Sequence, residues 1–167
     1  MAAKRYIPLD TAQEFFYAFG LRERTKLYDR WETGQGFERD AFAWVLGECP
    51  RIIALDWHID ADTTADVLSS AFESLELDAR AVGDPDGSLV TITGGRSRAK
   101  VAIDGSDEAF DKLLIALRSA IPASVEIRES TTNGQSDAFV FSILPVATWR
   151  ELESLDRSLV EEDWGAP

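Results

Sequence analysis

Arg51-Ile-Ile-Ala-Leu-Asp-Trp57 decides how the rest of the chain is read. Ile52, Ile53, Ala54 and Leu55 leave no polar alternation, so a strand here is apolar on both faces and is expected at the centre of a sheet. Behind it, Thr63 to Leu75 carries Val67, Leu68, Ala71, Phe72 and Leu75 on one stripe, the pattern of an amphipathic helix, with Asp62 or Thr63 as its cap. Leu77 to Val82 alternates as a half-buried strand, Gly83-Asp-Pro-Asp-Gly87 supplies a turn, and Ser88 to Thr93 returns as strand.

The same order follows again. Arg96 to Asp104 reads as strand, and Asp107 to Ala120 reads as a helix begun by Ser106 or Asp107. Val125 to Arg128 and Ala138 to Leu144 read as strands around the loop Thr132 to Ser136. Residues 51–94 and 97–144 therefore each spell βαββ, with matching elements about 44 to 49 residues apart, and Ala54-Leu-Asp56 aligns with Ala102-Ile-Asp104. The expected fold is α+β: an N-terminal helical segment, then a mostly antiparallel sheet built from the tandem βαββ repeat, with helices packed on one face. One domain spans 1–167, divided into an aromatic-rich helical layer (1–50), two βαββ units (51–144) and a short helix with a loose acidic tail (145–167).

Upstream of the decisive strand, Thr11-Ala-Gln-Glu14 has the form of a capping box, and Phe15, Phe16 and Phe19 follow at helical spacing up to Gly20. A second helix is expected from Arg22 to Glu32 with Leu27, Tyr28 and Trp31 on one side, ended by Gly34 and Gly36. A third runs from Phe37 to Leu46 and stops at Gly47 and Pro50. Another capping box, Thr148-Trp-Arg-Glu151, opens the last helix. Eleven of the seventeen aromatic residues precede His58. They form either a core layer over the sheet or, at Tyr17, Trp31 or Phe42, anchors for another protein.

A chain that is 45% hydrophobic folds, and a net charge of −13 opposes binding to nucleic acid or anionic membranes while favouring a basic partner. The single cysteine, Cys49, excludes an internal disulfide and fits a reducing, cytoplasmic setting. The start, MAAKRYIPLD, meets Asp10, Gln13 and Glu14 where a leader needs unbroken apolar residues, and no segment approaches the roughly 20 apolar residues of a membrane helix.

Asp56, His58, Asp60 and Asp62 alternate, so an extended backbone sends all four side chains to one side. There they are candidate ligands for a divalent cation and a metal-dependent hydrolase. The competing reading has the strand end near Trp57 and Asp60 or Asp62 cap the next helix. His58 is the sole histidine, no G-x-S-x-G elbow is present, and Gly34-Gln-Gly36 and Gly94-Gly95 lack the context of a phosphate loop, so no cofactor is expected. Arg96, Arg98 and Lys100 form a basic strip, read as a solvated sheet face beside Glu126 and Arg128 with cross-strand charge pairs, or else as an anion or acidic-partner site.

Acidic residues are more numerous, and Asp56, Asp60, Asp62, Asp84, Asp86 and Asp104 fall at strand ends or helix starts, so one end of the domain is expected to be strongly negative. With Tyr17 and Trp31 they are the candidate partner-binding residues of a non-enzymatic module that engages a basic protein. In size, acidity and lack of a catalytic motif the chain is similar to bacterial immunity proteins, which suggests a basic toxin, such as a nuclease, as partner. The resemblance is of general character and maps no residue. The alternatives are the metal-dependent hydrolase and a small-molecule sensor with its pocket between the sheet and the N-terminal helices. The sequence leaves oligomeric state open.

Overall fold

The structure, a computed structural model, describes residues 5–22, 26–135 and 137–165, without the side chains of residues 26–28. The expected helix start at 23–25, the stripe at Leu27 and Tyr28, loop residue Ser136 and the last two tail residues lie outside that description.

From residue 52 the elements are β4 (Ile52–Asp56), α4 (Ala61–Ser74), β5 (Ala79–Gly83), β6 (Leu89–Gly94), β7 (Ser97–Ala102), α5 (Asp107–Ala120), β8 (Val125–Glu129) and β9 (Ala138–Pro145). This is βαββ twice, and the fold is α+β with antiparallel strands. Asp60 and Ser106, 46 residues apart, cap α4 and α5 by accepting from the N–H groups of Thr63 (2.8 Å) and Ala109 (3.1 Å). Both helices owe their position to the apolar stripe, which buries Leu68 and Phe72 on α4 and Phe110, Leu113 and Leu117 on α5.

The six strands do not make one continuous sheet. They divide into β4-β9-β8 and β5-β6-β7, each joining the hairpin of one βαββ unit to the first strand of the other. The decisive strand β4 is thus an edge, and β9 is the centre of its sheet. Its apolar character on both sides has another cause: β4 and β9 separate two cores. Ile53, Leu55, Phe141 and Ile143 face a core shared with α4, α5 and the sheet β5-β6-β7. Ile52 and Leu144 face a second core, filled by Phe15, Phe16, Phe19, Phe37 and Phe42 from the N-terminal segment and by Trp149 and Trp164 from the C-terminal helix. Rings there meet edge-on or stacked at 5.2–5.9 Å, as in Phe16–Phe37 and Phe19–Trp164. Arg51, 8% exposed, ties the halves together: its guanidinium donates to the Ala18 carbonyl, the last of the first helix, and to the Ser74 carbonyl, the last of α4, both at 2.8 Å. Helix C-termini carry partial negative charge and so offset the buried cation.

The N-terminal segment comprises β1 (Tyr6–Ile7), α1 (Leu9–Ala18), α2 (Lys26–Trp31), β2 (Glu32–Thr33), β3 (Gly36–Glu38) and α3 (Arg39–Gly47), and the chain closes with α6 (Val146–Trp164). Two capping boxes are not used. Helices α1 and α6 begin two residues earlier, directly behind Pro8 and Pro145, with no side-chain cap. Each proline stands in an extended conformation (ψ 145° and 141°) that leads straight into the first turn, where free N–H groups are tolerated. Gly34 and Gly36, expected to end a helix, instead flank the turn of a small sheet, β1-β3-β2. Gly36 has φ +104°, and a Cβ there would lie 2.1 Å from the Ile7 carbonyl oxygen, so no other residue fits. The tail is not loose over its described length: α6 breaks at Asp156, whose carboxylate recaps the helix at Leu159 N–H (3.0 Å), and continues to the buried Trp164. No described helix is long and apolar enough to cross a membrane.

Candidate functional site

The first strands of the two units end alike. Behind β4, Asp56 accepts from His58 N–H (2.8 Å), and behind β7, Asp104 accepts from Ser106 N–H (2.9 Å), the same Asx turn on each. A third such turn, Asp86 to Ser88 N–H (3.1 Å), closes the β5–β6 connection. The three loops touch. A Cβ on Gly105 (φ +74°) would stand 2.2 Å from the Trp57 carbonyl oxygen, Ala61 N–H donates to the Gly87 carbonyl at 3.2 Å, and Ile103 N–H donates to the Ser88 carbonyl at 3.0 Å. The result is an edge of the molecule that gathers Asp56, Asp60, Asp62, Asp84, Asp86 and Asp104, with Asp107 and Glu108 behind them on the first turn of α5. All six of the former were picked out in the sequence.

Hydrogen-bond donors favour the ionised form of four of these carboxylates. Asp56, Asp60, Asp86 and Asp104 all sit below the usual aspartate range. The cause is the N–H of His58 for Asp56, the N–H of Thr63 for Asp60, and the hydroxyl and N–H of Ser88 and Ser106 for Asp86 and Asp104. The positive ends of α4 and α5 point at the same edge and favour its charge. Among the described residues the one ion pair with a cationic lysine or arginine there is Lys112–Glu108 (2.6 Å). The acidic residues of α6 differ: Glu153 pairs with Arg128, Glu161 with Arg157, Glu162 with Arg5 and Arg39, and Asp163 with Arg39. Those carboxylates fasten the fold, whereas the edge is left open to solvent.

Comparison with known protein families, curated proteins and solved structures returns no significant match.

The metal-site pattern dissolves because the strand stops at Asp56 and the chain turns. Asp56 Oδ1 bonds His58, whose Nδ1 lies 3.0 Å away; Asp60 caps α4; and Asp62 lies against Gly83, where an added Cβ would stand 2.2 Å from its Oδ1. Among the described residues no three His, Cys, Asp or Glu side chains gather so as to hold a metal ion. Cys49 is buried, and desolvation first, then Glu48, pushes its thiol up to about 12, too high to form a nucleophilic thiolate at neutral pH.

None of the three expected aromatic anchors stands at this edge, and Phe42 is fully buried in the aromatic core. Tyr17, 43% exposed, lines a cleft of about 570 Å³ between α1 and α6 near Arg51. It thus lies by the C-terminal end of α4, roughly 20 Å along that helix from the edge. Trp31 is half-buried and meets Trp44, itself 53% exposed, edge-on at 5.8 Å. The ring that does border the acidic edge is Trp57, half-buried and edge-on to Phe110 at 5.3 Å, with Phe110 stacked on Phe139 at 4.7 Å. In the sequence Trp57 ends the strand, and its place between Asp56 and His58 is the one signal that it borders the acidic turn. A cavity of about 270 Å³ does lie between the sheet and the helical segment, lined by Leu46, Ile52, Ala54, Val140 and Trp164.

Proposed function

We propose that the chain is a non-enzymatic binding protein whose acidic edge engages a basic surface of another protein. In its most concrete form it is an immunity-type protein of the bacterial cytoplasm that blocks a basic toxin, such as a nuclease, by covering a cationic cleft. One observation carries this reading: carboxylates from three loops stand together at one edge, held by backbone N–H groups and, among the described residues, free of arginine partners. Groups held this way lose little side-chain freedom on association, and concentrated negative charge speeds encounter with a cationic surface. Trp57, its ring seated on Phe110, supplies an apolar contact beside the charge.

The test is affinity capture from cells of the source organism at low and high salt, using the native protein and the triple variant Asp84→Lys/Asp86→Lys/Asp104→Lys. The expected result is a basic protein retained by the native chain, eluted as salt rises, and lost by the variant. Retention that is indifferent both to salt and to the reversed charges would sink the electrostatic reading.

A further inference from the structure

The outward face of β5-β6-β7 is basic in an otherwise acidic molecule. Its inward positions, Ala81, Val90, Ile92 and Val101, are buried in the core shared with α4 and α5. The alternate positions point out, and strand register places Arg80, Thr93 and Arg98 in one cross-strand row and Val82, Thr91 and Lys100 in the next. Arg80, Arg98 and Lys100 are exposed, as is Arg96 in the two-residue turn between β6 and β7. The sequence places this strip on a sheet face beside Glu126 and Arg128. Both sit instead on β8 in the other sheet, where Arg128 is buried between Glu126, Glu153 and the Trp149 ring.

Among the described residues, none of Arg80, Arg96, Arg98 and Lys100 meets a carboxylate within ion-pair distance, whereas Arg5, Arg39, Arg118, Arg128, Arg157 and Lys112 all do. Like charges brought together on one sheet face oppose folding, so the arrangement is one that a bound anion relieves. A shallow depression of about 390 Å³, lined by Asp78, Ala79, Arg80, Thr93, Gly94 and Gly95, opens at the end of the face.

We propose that this face docks an acidic segment of a partner protein, on a surface separate from the acidic edge and independent of it. Arg98 and Lys100 lie two residues apart on one strand, about 7 Å, and Arg80 and Arg98 two strands apart, about 10 Å, spacings that an extended peptide with carboxylates on alternate residues can meet. A nucleic acid fits less well. Among the described residues the face has no aromatic ring on which a base could stack, and its strands run at one end into Asp84, Asp86 and Asp104, which repel a continuing phosphate backbone.

The probe is a fluorescein-labelled hexaglutamate peptide titrated with the whole protein at about 0.1 M salt, where screening shortens the reach of the net charge to roughly 10 Å. Arg80→Gln/Arg98→Gln/Lys100→Gln is expected to weaken binding at least tenfold. A charge-matched control, Arg118→Gln/Arg150→Gln/Arg157→Gln, is expected to change it less than twofold, and Asp78→Asn to tighten it. Equal loss in both triple variants would overturn the proposal, as would tighter binding of an oligothymidylate than of the peptide. A concentration-dependent dimer abolished by the first triple variant would assign the face to a second copy instead.

Discussion

Asp163 shows how one residue's surroundings set a sign. Burial raises its pKa, and the Arg39 guanidinium beside it offsets this only in part. Asp56, Asp60, Asp86 and Asp104 are shifted the other way by their hydrogen bonds. A carboxylate with a raised native pKa binds protons more tightly when folded, so stability grows as pH falls through that value toward the unfolded one near 3.9. Carboxylates with depressed values stabilise the fold above the unfolded pKa, and that contribution is lost as pH falls through the native ones. As pH is lowered from neutrality the urea midpoint is therefore expected first to rise, through Asp163, and then to decline below the unfolded value of about 3.9. Asp163→Asn should abolish the rise and leave the decline. A variant whose pH profile overlays the native one would show that Asp163 is not held in the state its burial implies.

At the scale of elements, α6 is a strut rather than a tail. Its second half, recapped by Asp156, sends Leu159, Val160 and Trp164 into the aromatic core, where Trp164 stacks on Phe19 at 5.7 Å. Trp164→Ala is expected to cost about 3–5 kcal/mol in urea denaturation, as large-to-small changes in packed cores do; a cost below about 1 kcal/mol would mean that the ring is not part of the core. This helix also marks the limit of legibility. Long periodic elements such as α4 and α5 could be read from their apolar stripes, and the cap at Ser106 from residue type; α4 instead starts two residues ahead of the expected Thr63 and is capped by Asp60, not by Asp62 or Thr63. The strands β1, β2 and β3, two or three residues each, are too short to carry any period. The starts of α1 and α6 went astray because Pro8 and Pro145 serve where a capping box a few residues later looked sufficient. Asp56 to Asp62 was legible as an acidic stretch, yet its alternation suggested convergence that the turn at His58 undoes. That the edge also recruits the β5–β6 turn and the end of β7 depends on contacts between loops far apart in the chain, which no local pattern reports.

Over the whole molecule, charge is segregated: an acidic edge where three loops meet, a cationic sheet face beside it, and arginines elsewhere used to fasten α6. The exchange of first strands between the two βαββ units explains why these regions sit side by side, since the ends of β4 and β7 converge on the same edge. It also sets how the protein can come apart. Severing the chain at the turn between Gly95 and Arg96 leaves each piece with one of the two βαββ hairpins and one orphan strand, and each orphan is what the other piece's βαββ hairpin lacks. The separate pieces are expected to be unstructured by circular dichroism and to regain the native spectrum when mixed one to one; a piece that folds unaided would contradict the topology. In the intact chain, loosening either half strips a ladder from the other and bares backbone donors and acceptors on both, so the danger to this protein in the cell is partial opening, when naked strands invite aggregation.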